Sequence, residues 1–206
     1  MWVILAIAFL GAILWLANGI RLIGAVSQGA PIAERSEAAL LMIDLQSVFW
    51  NAAMFSNTSM AEAEACILTE LERAKANGIP IIAIRQEWSI PSTKVVAKLL
   101  MKGQAIEGTP GTEVAAPFDG LASYEIVKRV QDAFETSQLD TLLETLKVGK
   151  LSIVGLDTNY CIAKTALAAR QRGYEVEIVK RAVLSADQKN AVQTLDMLAG
   201  KHVKLV

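Results

Sequence analysis

Three side chains of complementary chemistry stand at the ends of apolar runs in this chain: Asp44, Lys128 and Cys161. Cys161 closes the stretch Gly155-Leu156-Asp157-Thr158-Asn159-Tyr160-Cys161, between the apolar run Leu151–Val154 and the helically spaced segment Ala163–Arg172. That order predicts a strand, a tight turn and a helix with a thiol near its start. A thiolate there feels the positive end of the helix dipole and neighbouring backbone N–H groups, a setting that lowers a cysteine pKa from about 8.5 toward roughly 3.5–7.5. Lys128 adds a positive charge that favours the thiolate. Asp44 can take the thiol proton and return it to a leaving group. Each residue alone has a plainer reading: a small core cysteine, a turn-capping aspartate, a solvated lysine. The functional reading rests on their shared address at strand C-terminal ends, where open parallel sheets bind ligands.

The elements that must position these groups alternate. Strands are expected at Leu40–Ile43, Ile79–Arg85, Tyr124–Val127, Leu151–Val154, Val176–Val179 and Val203–Val206. Helices are expected at Met60–Asn77, Leu139–Leu146, Ala163–Arg172 and Ser185–Leu198, with Gly78, Gly173 and Gly200 as stops. Thr136 or Ser137 would cap the second of these. This alternation predicts a three-layer α/β/α domain around a parallel sheet of about six strands, a Rossmann-like architecture. The exception is Gln86–Ser123, far longer than the usual connection of roughly 4–6 residues. It should hold a short helix, Lys94–Met101, and turns at Gly108–Gly111. Such an excursion after a strand end often shapes a binding site.

Composition narrows the function classes. The 206 residues suit one domain with a sizeable core. Lys and Arg number 20 against 21 Asp and Glu, with no basic run or basic-aromatic stripe, which argues against nucleic acid as a partner. Two cysteines, Cys66 and Cys161, make no disulfide framework, and the single histidine, His202, leaves no basis for a His or Cys metal cage. No cofactor is expected. A Gly-x-Gly-x-x-Gly turn does not follow the first strand, against a Rossmann nucleotide binder.

The first segment is of another kind. Trp2–Ile20 is almost wholly apolar, close to the roughly 20 residues that span a bilayer. No Lys or Arg precedes it, as a cleaved signal peptide would usually have, so an uncleaved anchor over residues 1–26 is the expectation, although Ala25-Val26-Ser27 would serve as a cleavage site. Residues 27–37 read as a linker and 38–206 as the globular α/β domain. Arg21 and Arg35 follow the span, so the positive-inside rule places that domain in the cytoplasm.

The pattern resembles the isochorismatase-like cysteine hydrolases. Ile43-Asp44-Leu45-Gln46 with Phe49 is similar to that family's first-strand Asp-x-Gln motif. Val127-Lys128, then Ala133-Phe134-Glu135-Thr136 and Leu139, resembles its lysine motif, and Gly155–Cys161 its Gly-x-x-Thr-Asn-x-Cys nucleophile turn. Thr109-Pro110-Gly111 resembles a turn often found in its long excursion. The matches run from about Leu40 to the C-terminus and are specific as an ordered set.

The resemblance implies a catalytic triad of Asp44, Lys128 and Cys161. It also implies a non-proline cis peptide at Leu156–Asp157, and an oxyanion hole from the backbone N–H groups of Asp157 and Cys161. The implied reaction is hydrolysis of a small amide or carbamoyl-type substrate through a thioester, although part of the family cleaves a vinyl ether instead. Gln46, Phe49, Trp88 and Tyr160 are candidate substrate contacts. Gln46 has a second reading as an orienter of Asp44, and Glu87 reads as surface. The chain departs from the family's metal-binding nicotinamidases, since Arg85-Gln86-Glu87-Trp88-Ser89 carries no histidine, and its N-terminal anchor is unlike the family's soluble members. A homo-oligomer is in keeping with the family. The rival reading is a non-catalytic, membrane-tethered module that keeps the fold and binds a ligand or partner.

Overall fold

The computed structural model describes all residues, 1–206. Strands β1 (Glu37–Ile43), β2 (Ile81–Gln86), β3 (Tyr124–Lys128), β4 (Val148–Leu156), β5 (Glu175–Leu184) and β6 (Lys204–Leu205) form one sheet in the order β3-β2-β1-β4-β5-β6. All five pairings are parallel. The order reverses between β1 and β4, so the crevice of the doubly wound sheet opens where Asp44 and Cys161 emerge. Both faces of β1 are covered. Ala39, Leu41 and Ile43 point into an apolar cluster with α4 (Gln138–Thr145) and α5 (Ala163–Gln171). Leu40 and Met42 point the other way, onto Ala63, Ile67, Leu71 and Ala74 of α2 (Asn57–Ala76). This two-sided burial is why the strand reads as a continuous apolar run.

Element ends differ from the sequence reading in physically telling ways. β5 runs through Lys180 and Arg181, exposed mid-strand charges that hide its second half from a hydrophobicity pattern. α3 (Pro91–Leu100) starts earlier than expected, with Pro91 in its first turn, where a missing N–H costs nothing. α6 (Gln188–Gly200) starts later, because the Asp187 side chain accepts from the Asn190 N–H and fixes the cap there. Ser137 precedes α4 but makes no side-chain cap; its φ is +61°.

α1 (Trp2–Ile23) is the apolar N-terminal helix, with a mean hydropathy of 2.3. Most of it is exposed, but its last two turns pack on α3: Leu16 and Ile23 join an apolar cluster with Trp88, Val96 and Ala97. The stretch from α1 to β1 is held along the domain. The Ser27 N–H donates to Asp132 (2.7 Å), and the Arg172 guanidinium donates to the carbonyls of Ser27 and Gln28 while pairing with Asp140. The residues expected to form a linker are thus a strap across α4 and α5.

Candidate active site

β1, β3 and β4 each deliver one group to the same mouth. Asp44 leaves β1 with φ +51°, a left-handed conformation uncommon for a residue with a Cβ, which turns its carboxylate over the sheet end. Lys128 is the last residue of the edge strand β3, and its side chain crosses the end of β2 to reach the centre. Cys161 lies in one π-helical turn, Thr158–Ile162, that leads into α5. Gly155 has φ +119°, and a Cβ there would collide with the Ile43 carbonyl. Only glycine lets β4 run this close to β1 beside the two reactive groups.

The three tips converge. Lys128 Nζ lies 3.0 Å from Asp44 Oδ2 and 3.2 Å from Cys161 Sγ. It also donates toward Gln86 Oε1 (2.6 Å) and the Val130 carbonyl (3.3 Å), more acceptors than an ammonium has N–H bonds. Lys128 is 0 % exposed and Asp44 2 %. Asp44 Oδ1 is buried without a hydrogen-bond partner, an acceptor free to take a proton.

Electrostatics decide the resting protonation. Burial raises the Asp44 carboxyl above its ordinary range, and Lys128 and the thiol draw it back only in part. Burial works to lower the Lys128 pKa, yet the charges of Asp44 and Cys161 outweigh it, so the net direction is upward. Burial and then the Asp44 charge push the Cys161 thiol up, against the pull of Lys128. Lys128 therefore rests as an ammonium beside a neutral thiol. The lowered thiol pKa expected from the turn and the lysine is overturned: desolvation and the neighbouring carboxylate exceed what one shared ammonium supplies.

The Leu156–Asp157 peptide is cis. The Asp157 side chain accepts from the N–H groups of Asn159 and Ala186 and from the Ser185 hydroxyl, fixing the turn. The Asp157 N–H itself has no hydrogen-bond partner in the chain.

A cavity of about 380 Å³ opens over these groups. Asp44, Gln86, Asp157 and Cys161 form its floor, and Phe49, Trp88 and Tyr160 stand in its wall, along with Met54, Leu100 and Met101. Gln46 does not reach it. Its amide bonds the Gln86 carbonyl (3.1 Å), the Thr112 carbonyl (2.7 Å) and the Gln86 N–H (2.7 Å), so it ties β1 to β2 and to the long excursion. A substrate contact by Gln46 is corrected to this internal clamp. Glu87 is paired with Arg85 at 2.7 Å and is absent from the cavity lining. No three of the chain's His, Cys, Asp and Glu side chains are grouped as a metal site would need.

Gln86, Gln104 and Gln131 also line the cavity and escaped the sequence reading. Gln86 was findable: it ends β2 as Asp44 and Lys128 follow β1 and end β3. Gln131 carries no such signal.

The isochorismatase domain model matches residues 38–205. The chain belongs to the isochorismatase family. Among relatives, nicotinamidase 3 of Arabidopsis thaliana is 26% identical over 174 residues, covering 82% of this chain and 84% of that protein. A probable inactive nicotinamidase of the same plant is 28% identical over 188 residues, covering 84% and 92%. Among solved structures, a nicotinamidase from Bacillus subtilis superposes with a TM-score of 0.71 at 18% identity, over 83% of this chain and 99% of that one. The likeness stops short of α1, since the family model starts at residue 38.

Proposed function

We infer that this isochorismatase-family chain is a metal-independent cysteine hydrolase of a small amide or carbamoyl-type substrate, tethered to a membrane by α1. One observation carries the reading: the carboxyl of Asp44 and the thiol of Cys161, both lining one cavity, are bridged by the buried ammonium of Lys128. Asp44 accepts the Cys161 proton as sulfur attacks the carbonyl carbon. The Lys128 contact to sulfur is weak for a neutral thiol and becomes charge-assisted once sulfur is anionic, so it strengthens along the reaction coordinate. The carbonyl oxygen gains its charge against the N–H groups of Asp157 and Cys161. Asp44 returns the proton to the leaving nitrogen as the C–N bond breaks, and a thioester remains on Cys161. Asp44 then takes a proton from water, hydroxide attacks the thioester, and the acid leaves as the thiol re-forms. Phe49, Trp88 and Tyr160 would hold the substrate's flat or apolar part.

Relatives that bear the nicotinamidase name support an amide, and the one described as probably inactive keeps a non-catalytic binding module as the second reading. The two readings part on one experiment. The purified full chain is assayed against primary amides, carbamoyl compounds and ureides beside Cys161→Ala and Cys161→Ser. Turnover is expected only in the parent, with both variants folded. Turnover in Cys161→Ala would refute the nucleophile assignment.

For the tether, Arg21 and Arg35 after the span support a cytoplasmic domain.

A further inference from the structure

The length of α1 does not fit an anchor that ends clear of its domain. The whole helix is about 33 Å long at 1.5 Å per residue, but its contact with α3 begins at Leu16. Gly19 lies so close to Ser92 that a Cβ would stand 2.9 Å from the Ser92 Cβ. The part free of protein, Trp2–Trp15, covers only about 21 Å, against a hydrocarbon core of about 30 Å. If α1 is in the membrane along its apolar length, then α3 is at the membrane surface with it.

α3 is built for that place. Leu99 and Leu100 are 67 % and 68 % exposed at its C-terminal end, beside the exposed Lys98. An amphipathic helix with exposed leucines and lysines is the pattern of an interfacial element. The same end of α3 forms the cavity rim: Leu100 and Met101 line it, and Trp88 joins both the cavity wall and the cluster that holds α1. Trp88 and Met101, shared by the α1 cluster and the cavity, and Leu100 beside them therefore carry apolar surface from α1 to the cavity rim.

We propose that the C-terminal end of α3 lies in the bilayer interface and that the Cys161 cavity takes its substrate from there. The substrate class is a single-chain amphiphile, a small amide head on an aliphatic tail. The head reaches Cys161 and the tail leaves along Leu100 and Met101. This rests on the hydrolase reading above for the identity of the reactive head, and on α1 for the membrane.

The test uses the full chain in phosphatidylcholine–phosphatidylglycerol nanodiscs. A nitroxide is placed at Leu99→Cys in a Cys66→Ser background, and its collisions with oxygen and with a water-soluble nickel chelate are compared. The expected result is high oxygen and low nickel access, whereas a nickel-accessible label overturns the membrane placement. In the same discs, hydrolysis of butyramide, octanamide and dodecanamide is measured for the parent and for Leu99→Asp, a residue outside the cavity lining. kcat/KM should rise at least tenfold from butyramide to dodecanamide, and Leu99→Asp should remove most of that rise while butyramide hydrolysis is unchanged. Butyramide turnover with no gain for longer chains overturns the substrate class alone. No turnover of any amide, with the label immersed, refutes the hydrolase reading and the substrate class together but upholds the membrane placement.

Discussion

Asp44, Lys128 and Cys161 depend on one another for charge, which makes their substitutions unequal. Lys128→Met would strand the Asp44 carboxylate in a site that is 2 % exposed. Removing one partner of a buried ion pair costs about 3–5 kcal/mol, so denaturant unfolding should show a large loss for this variant. Cys161→Ala removes a neutral thiol and should unfold close to the parent. The pH dependence follows from the directions above. Asp44 must be ionised to take the proton, and burial raises its pKa. The acid limb of kcat/KM should therefore fall above the ordinary aspartate value of about 3.9. Because the Cys161 thiol is pushed up, no alkaline rise from thiolate formation should appear near neutrality, and free iodoacetamide should alkylate it slowly there. A pH–rate profile of the parent checks both limbs.

The elements that aim these groups depend on two close approaches. Gly155 lets β4 lie against Ile43, and Gln46 clamps β1 to β2. Gly155→Ala adds a Cβ at a positive φ against backbone that has no room to move. A loss of about 2 kcal/mol or more is expected, within the usual range for overpacking, with a larger drop in kcat than in substrate affinity because Cys161 follows on the same turn. Equal stability of Gly155→Ala and parent in urea would contradict the close approach. Much at this scale was legible in the sequence. The β1, β2 and β4 runs are largely apolar and, with the short β3, stop at or within a few residues of the groups that matter, and glycines mark most helix ends. The hidden parts have physical reasons. β5 carries charges on exposed positions. The Gln188 start of α6 is set by a side-chain cap. Part of the cavity wall comes from the long excursion, whose path over the sheet no pattern reveals, so Leu100 and Gln104 could not be assigned to it, and Gln131 sits in the loop after β3.

At the scale of the molecule, the sequence separates an anchor, a linker and a domain, whereas the fold joins them. The strap from Gly24 to Ser36 is bonded to Asp132 and Arg172, and α1 shares an apolar cluster with the wall of the cavity. No periodicity could announce this, because the strap's contacts link residues more than a hundred positions apart and α1 packs on residues more than sixty positions away. The same distance hid the resting state of the thiol. Helix start and lysine were visible, but complete burial beside a carboxylate is a property of the assembled site.

The central claim is that Cys161 carries the acyl group of the substrate. Rapid quenching of the full chain during turnover of an amide, followed by intact-protein and peptide mass measurement, reads this directly. An added acyl mass is expected on the peptide bearing Cys161, removed by hydroxylamine and absent in Asp44→Asn. Steady turnover with an unmodified Cys161 at every quench time, or the adduct on Cys66 instead, would contradict it.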